Sequence, residues 1–180
     1  MVILETERLL LRPFMLRDWA DFHQYAKNPN VGPNAGWAAH KTKWESLKVL
    51  NSFVTEENLW AITLRQSGTF VGSVGLHPDT KRSFHKARML GYSLAEEHWG
   101  QGYATEAAQA VLRYGFEEAR LELVSVYHFV FNTASRRVIE KCGFTCEGTL
   151  RMAGITPRGL MTDHACYSMN RAEYQALGGR

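Results

Sequence analysis

Cysteine is scarce and unpatterned in this chain. Only Cys142, Cys146 and Cys166 occur in 180 residues, with no CxxC pair and no Cys/His set at zinc-ligand spacing. The sequence therefore carries neither a disulfide scaffold nor a metal motif, and an odd number of thiols suits a reducing compartment. Long apolar runs are missing too: none approaches the length that spans a bilayer, and the opening Met1-Val2-Ile3-Leu4 is broken at once by Glu5, Glu7 and Arg8. Neither a membrane span nor a signal peptide is expected, which points to a cytoplasmic protein. Excess charge of one sign is likewise absent. The formal net charge is +3, from intermixed signs with Lys81-Arg82 and Arg136-Arg137 as the short basic clusters. That balance argues against a nucleic-acid partner while leaving room for a phosphorylated ligand. There is no internal repeat, low-complexity stretch or linker, so residues 1–180 read as one domain able to bury a core without disulfides or metal.

What is present is ordinary globular material, 45% hydrophobic and 22% charged. Two helix-like stretches come early. Residues 18–27 open on Asp18, a good capping residue, and residues 42–53 carry Trp44, Leu47, Val49 and Leu50 at helical spacing. Between them an irregular loop over 28–37 gathers helix breakers around Trp37, with His40 just beyond; such loops shape pocket mouths more often than cores. From Leu59 the pattern changes to strands over 59–64, 70–76 and 88–95, an antiparallel meander. A longer helix over 102–119 follows, with Ala107, Ala108, Val111, Leu112 and Phe116 on its buried side. Residues 123–131 are apolar on both alternating faces, as in a central strand; 133–142 form a short helix stopped by Gly143, and strands near 144–150 and 164–169 finish the sheet. The expected class is mixed α/β (α+β), helices interspersed among mostly antiparallel strands.

The chemistry is concentrated after the third strand, in Leu94-Ala95-Glu96-Glu97-His98-Trp99-Gly100-Gln101-Gly102-Tyr103-Ala104-Thr105. Strand, glycine turn and helix follow one another, so backbone can come close to a ligand and the unpaired N–H groups of a helix start point outward. Such a nest suits a phosphate, anchored by several direct N–H bonds with the side chain of Thr105 as a further donor. No Lys-Ser or Lys-Thr follows the glycines, which excludes a Walker loop. A dinucleotide fingerprint fits poorly, because Thr105 takes the third small position and Glu122 begins a strand instead of ending one. A plain connecting turn remains the alternative.

The stretch Trp99 to Ala107 resembles the acetyl-coenzyme A pyrophosphate loop of the GNAT superfamily of N-acetyltransferases, especially its Rim-type, ribosomal-protein-acetylating branch. A second block, Asn132-Thr133-Ala134-Ser135 followed by Lys141-Cys142-Gly143-Phe144 and Glu147-Gly148, is similar to that branch's Asn-x-x-Ser and Lys-x-Gly-Phe elements. The opening Thr6 to Arg12 and the closing Asp163, Tyr167 and Arg171-Ala172-Glu173 also look familial. The resemblance implies a twisted, mostly antiparallel central sheet with helices on both faces, and acetyl-coenzyme A as co-substrate without a metal. It implies cofactor contacts from Leu94, Ala95, Trp99, Gly100, Gln101, Gly102, Tyr103, Ala104, Thr105, Asn132 and Ser135. Pantetheine would lie between splayed strands, a backbone N–H near Leu94 or Ala95 would face the thioester oxygen, and Ser135 would serve the departing sulfur. Where the branch is expected to place an acidic residue near the substrate amine, this chain has Met152-Ala153-Gly154.

Amide formation from a thioester needs a neutral amine, a polarised carbonyl and a stabilised leaving thiolate. Read without the family, Asn132 and Ser135 are equally an ordinary helix start. Glu97, His40 and His77 are candidate bases, Tyr92 and Tyr127 alternative acids, and Trp37 with His40 the candidate acceptor-side residues. An α-amine is already roughly a tenth to a fifth neutral at pH 7 and lysine only about one part in 2,500, so a site without a strong base suits α-amines. The expected function is acetyl transfer to a primary amine, a peptide N-terminus or a small molecule. A catalytically silent acyl-coenzyme A-binding or sensor module is the alternative.

Overall fold

The structure is a computed structural model that describes residues 2–179. Its centre is an eight-stranded sheet in the order β1-β2-β3-β4-β5-β6-β8-β7. The strands are β1 (Leu4–Glu5), β2 (Leu9–Pro13), β3 (Leu59–Leu64), β4 (Phe70–Pro78), β5 (Ala87–Leu94), β6 (Leu123–Phe129), β7 (Thr145–Ile155) and β8 (Met161–Asn170). Every neighbouring pair is antiparallel except β5 and β6, which run parallel. The meander and the later strands follow the sequence reading. β1 and β2 do not, since nothing before Asp18 reads as an element there.

Alternation along β3 divides the core. Trp60 and Ile62 point to the face covered by α4 (Tyr103–Arg113), while Leu59 and Ala61 point to the face covered by α1 (Trp19–Lys27) and α3 (Lys43–Thr55). Each fully buried side chain of this size contributes about 1.5–3 kcal/mol, so both faces of the strand are strongly specified. α5 (Thr133–Lys141) adds Ile139 to the α4 side, and α6 (Arg171–Ala176) adds Tyr174, stacked on Phe116 at 4.7 Å.

Three local expectations need correction. Asp18 does not cap α1: its carboxylate takes Arg12 at 2.7 and 2.8 Å and the Met15 N–H at 2.9 Å, since a nearly dry guanidinium is the stronger partner. In α3, which Thr42 caps through the Glu45 N–H, Trp44 faces solvent at 78% exposure while Ser46 and Leu50 are buried. The helix expected over 102–119 keeps α geometry only to Arg113 and continues as a π turn over Tyr114–Glu118. The wider turn seats Gly115 against the nearby Leu121 and against Leu76 of β4, a fit that the helical period alone does not record.

Candidate active site

The parallel pairing of β5 with β6 covers only Ala87, Arg88 and Met89 against Leu123, Val124 and Ser125. Beyond it β5 runs on to Leu94 beside β4 and β6 to Phe129 beside β8, so the two strands part and leave a notch in the sheet. The Ala95 N–H donates to Val71 at 2.8 Å on the β4 side. Alternation along an antiparallel strand then turns the N–H groups of Tyr92 and Leu94 toward the notch. Of the two donors that the sequence reading offered, Leu94 is thus available there and Ala95 is already paired. Trp99 folds back so that its indole N–H donates to the Leu94 carbonyl at 2.9 Å, leaving the ring 43% exposed at the mouth.

Gly100 and Gly102 have φ of 75° and 82°, left-handed values that side-chain-bearing residues rarely adopt. They turn the chain into α4, whose first internal bond runs from the Glu106 N–H to the Gly102 carbonyl at 3.1 Å. The N–H groups of Tyr103, Ala104 and Thr105 therefore have no helical acceptor, the arrangement that binds anions at a helix start. The Gln101 amide donates to the Glu97 carbonyl at 3.1 Å and so braces the turn. A Cβ on Gly100 would meet nothing within 4 Å, and one on Gly102 would first meet Arg8 at 3.4 Å. Conformation, more than close approach, is what requires glycine here.

Across the notch, Asn132 caps α5. Its Oδ1 accepts the Ser135 N–H at 3.0 Å, and its Nδ2 donates to the Asn34 carbonyl at 3.0 Å. The Ser135 hydroxyl lies 2.9 Å from the Tyr92 hydroxyl, which also donates to the Ser135 carbonyl at 3.1 Å. Tyr92 thereby spans the gap from β5 to α5. Burial pushes its phenol far above the ordinary value, only partly opposed by the bond to Ser135, so it stays protonated and acts as a donor. Tyr127 belongs elsewhere: it donates to Asp79 and accepts from Arg82, which also grips Glu147 at 2.5 and 2.6 Å. That network ties the β4–β5 loop to β7 and occupies the carboxylate of the Glu147-Gly148 element.

The loop expected over 28–37 contains α2 (Gly32–Ala35). Trp37 folds under it so tightly that a Cβ on Gly32 would come within 2.7 Å of the indole, and it packs at a tilt against Tyr25 at 5.7 Å and His40 at 5.6 Å. Gly36 rests against Phe129, and Asn34 reaches Asn132, so this segment crosses the outer end of the notch. His40 binds Ser46 at 2.9 Å, and burial lowers its pKa, with Glu45 opposing and His23 adding. It ties Trp37 to α3. His77 packs between Gly75 and Gly91 and pairs through its backbone with Met89, toward the closed end of the notch. Glu97 is exposed and, with Glu96, lines a cleft of about 680 Å³ that Tyr25, Asn28, Asn30 and His40 also border. Asn28 and Asn30 hold the Glu96 carboxylate. Among the described residues no cluster of His, Cys, Asp or Glu could hold a metal ion, and no helix is long and apolar enough to cross a membrane.

Sequence reasoning missed Thr6, Arg8 and Glu106. Thr6 Oγ1 and the Arg8 N–H donate to Glu106 at 2.6 and 2.9 Å, and the Arg8 guanidinium reaches both Glu106 and the Gln101 carbonyl. The familial look of the Thr6 to Arg12 block was the available signal.

A family profile described as an acetyltransferase (GNAT) domain matches residues 8–145. The chain is 30% identical over 154 residues to "Uncharacterized N-acetyltransferase YoaA" of Bacillus subtilis (strain 168), covering 83% of this chain and 86% of that protein. A GNAT-family acetyltransferase structure from Bacillus anthracis superposes with a TM-score of 0.85 at 26% identity, over 95% of this chain and 99% of the other. The fold is also that of the spermidine N-acetyltransferase from Vibrio cholerae, solved with CoA and spermine, at a TM-score of 0.80, 21% identity and coverage of 94% and 99%.

Proposed function

The chain belongs to the GNAT acetyltransferase family, whose reaction is acetyl transfer from acetyl-coenzyme A, and from that premise we propose a cytoplasmic enzyme that acetylates a primary amine by direct attack, α-amines before lysines. The observation that carries this reading is the notch between β5 and β6, with an N–H nest at one lip and the Ser135–Tyr92 pair at the other. Coenzyme A binds along it: the N–H groups from Gly100 to Thr105 hold the pyrophosphate, and strand edges left unpaired by the splay hold pantetheine. Leu94 donates its N–H to the thioester oxygen, where charge develops as the amine attacks. As the new C–N bond forms and the C–S bond breaks, Ser135 donates a hydrogen bond to the departing sulfur, and the proton released by the amine ends on the thiol.

Trp37 and α2 form the acceptor side. Glu96 is engaged by Asn28 and Asn30 and Glu147 by Arg82, which leaves Glu97 as the exposed carboxylate of the cleft and a single charge to meet a polycation there. A neutral α-amine needs no strong base, which suits a site where His40 is tied to Ser46 and packed against Trp37. Ser135 and Tyr92 argue against a silent binding module, which has no use for a donor at the sulfur. Three free cysteines suit a reducing cytoplasm.

Thiol release from acetyl-coenzyme A, followed across peptide N-termini, free amino acids and polyamines, tests the reading. Turnover with α-amine acceptors above the hydrolytic background is expected. Coenzyme A binding without thiol release on any acceptor would favour the binding module, and turnover confined to polyamines would overturn the acceptor class.

A further inference from the structure

Arg8 sits just before β2, far in sequence from the glycine turn, yet its side chain is fastened to that turn. Nη1 donates to the Gln101 carbonyl at 2.9 Å, Nε donates to Glu106 at 2.7 Å, and Nη2 lies 2.6 Å from the same carboxylate oxygen. The guanidinium also covers the ring of Tyr103, the first residue of α4, at 4.7 Å. Glu106 is held in turn by Thr6 and by the Arg8 N–H. In a trans peptide the carbonyl of one residue and the N–H of the next point in opposite directions. Drawing the Gln101 carbonyl inward to Arg8 therefore aims the Gly102 N–H outward, beside those of Tyr103 and Ala104.

We propose that Arg8, braced by Glu106 and Thr6, is a positioning residue for coenzyme A that fixes the Gln101–Gly102 peptide so that the nest presents its N–H groups to the pyrophosphate. This rests on the reading that residues 100–105 take that pyrophosphate. The fork of a guanidinium suits the task because it meets a carboxylate and a carbonyl together and stacks on an aromatic ring, which an ammonium cannot match. With the Arg8 side chain 45% exposed, its ion pair adds little to global stability.

Calorimetric titration of coenzyme A and 3′-dephospho-coenzyme A into the wild type, Arg8→Ala, Arg8→Lys, Glu106→Gln and Gly102→Val tests it. Arg8→Ala is expected to weaken both ligands by the same factor, about 5- to 30-fold, with Arg8→Lys recovering only part of the loss. Glu106→Gln should weaken binding in the same direction. The KM for acetyl-coenzyme A should rise in Arg8→Ala while kcat at saturation stays within about threefold. Unchanged affinity in a folded Arg8→Ala protein overturns the proposal. A loss confined to coenzyme A, sparing the dephospho ligand, also overturns it by showing direct contact with the 3′-phosphate. If Gly102→Val weakens binding and Arg8→Ala does not, only the role of Arg8 fails; if neither does, the reading of the loop fails as well.

Discussion

A serine in the first turn of a helix usually turns its hydroxyl to nearby backbone, and Ser135 instead meets the hydroxyl of Tyr92. Tyr92 keeps its single proton, and when it donates that proton to the Ser135 hydroxyl instead of the Ser135 carbonyl, the serine proton is free to point into the notch. The two residues therefore act as one unit with unequal shares. Ser135→Ala should lower turnover by roughly 10- to 1,000-fold with little change in coenzyme A affinity, the range for one acid or oxyanion donor. Tyr92→Phe leaves the serine unaligned and should cost about 3- to 10-fold, and the double variant should lose no more than about twofold beyond Ser135→Ala. Steady-state kinetics with thermal melting on the three variants decide it. Full activity with a lowered melting temperature in Ser135→Ala would leave the hydroxyl a purely local role.

At the scale of elements, Asn132 joins two that lie on opposite sides of the notch. Its Oδ1 caps α5 and its Nδ2 holds the last turn of α2. Replacing it by alanine removes a cap worth about 1 kcal/mol, which lowers the melting temperature by about 2–4 °C in a chain of this size. Asn132→Asp keeps the capping oxygen and loses the donor to Asn34. It should restore most of the melting temperature while leaving the acceptor KM raised; a return of both to wild-type values would show that the Asn34 bond has no part in acceptor binding.

The elements that read from the sequence are those whose signal is local. β3 to β5 show alternation between clear turns, and the start of α4 is marked by the two glycines that its left-handed turn demands. β1 has two residues and α6 only six, too short for either period to register. The π turn after Arg113 seats Gly115 against Leu76 of β4 as well as the nearby Leu121, and the outward face of Trp44 goes with the engagement of Ser46 by His23 of α1 and by His40, packing that no local period records. The same limit applies in the site. The nest and the Asn132–Ser135 pair follow from motif spacing, while Arg8 and Tyr92 reach their partners across 93 and 43 residues.

On the scale of the whole molecule, titrating groups set the range of pH in which the fold persists. His40, His77 and His164 are all held below the ordinary imidazole value, chiefly by burial. A histidine kept neutral by folding supports stability above about pH 6.5 and withdraws it as pH falls toward its lower folded value, because the unfolded chain takes up the proton first. Burial raises the carboxyls of Asp79, Glu106 and Glu147, but their hydrogen bonds and ion pairs outweigh it and leave all three below ordinary values. Their contribution is present above about pH 4.3 and lost as pH falls further. The melting temperature should therefore be level near neutrality, decline gently below about pH 6.5 and fall steeply below about pH 4. A curve that stays flat from pH 7 to pH 5 would contradict the assigned state of the histidines.

The central claim is that one turn, Gly100 to Thr105, holds the coenzyme from which the acetyl group is taken. Valine at position 102 is a β-branched residue where φ is 82°, so the turn must rearrange and carry its N–H groups out of line. Titration calorimetry of coenzyme A into the wild type and a folded Gly102→Val variant tests this most directly. The wild type should bind one coenzyme A per chain, and the variant should bind at least about tenfold more weakly, a loss of about 1.4 kcal/mol or more. Equal affinities in the two proteins would contradict the account.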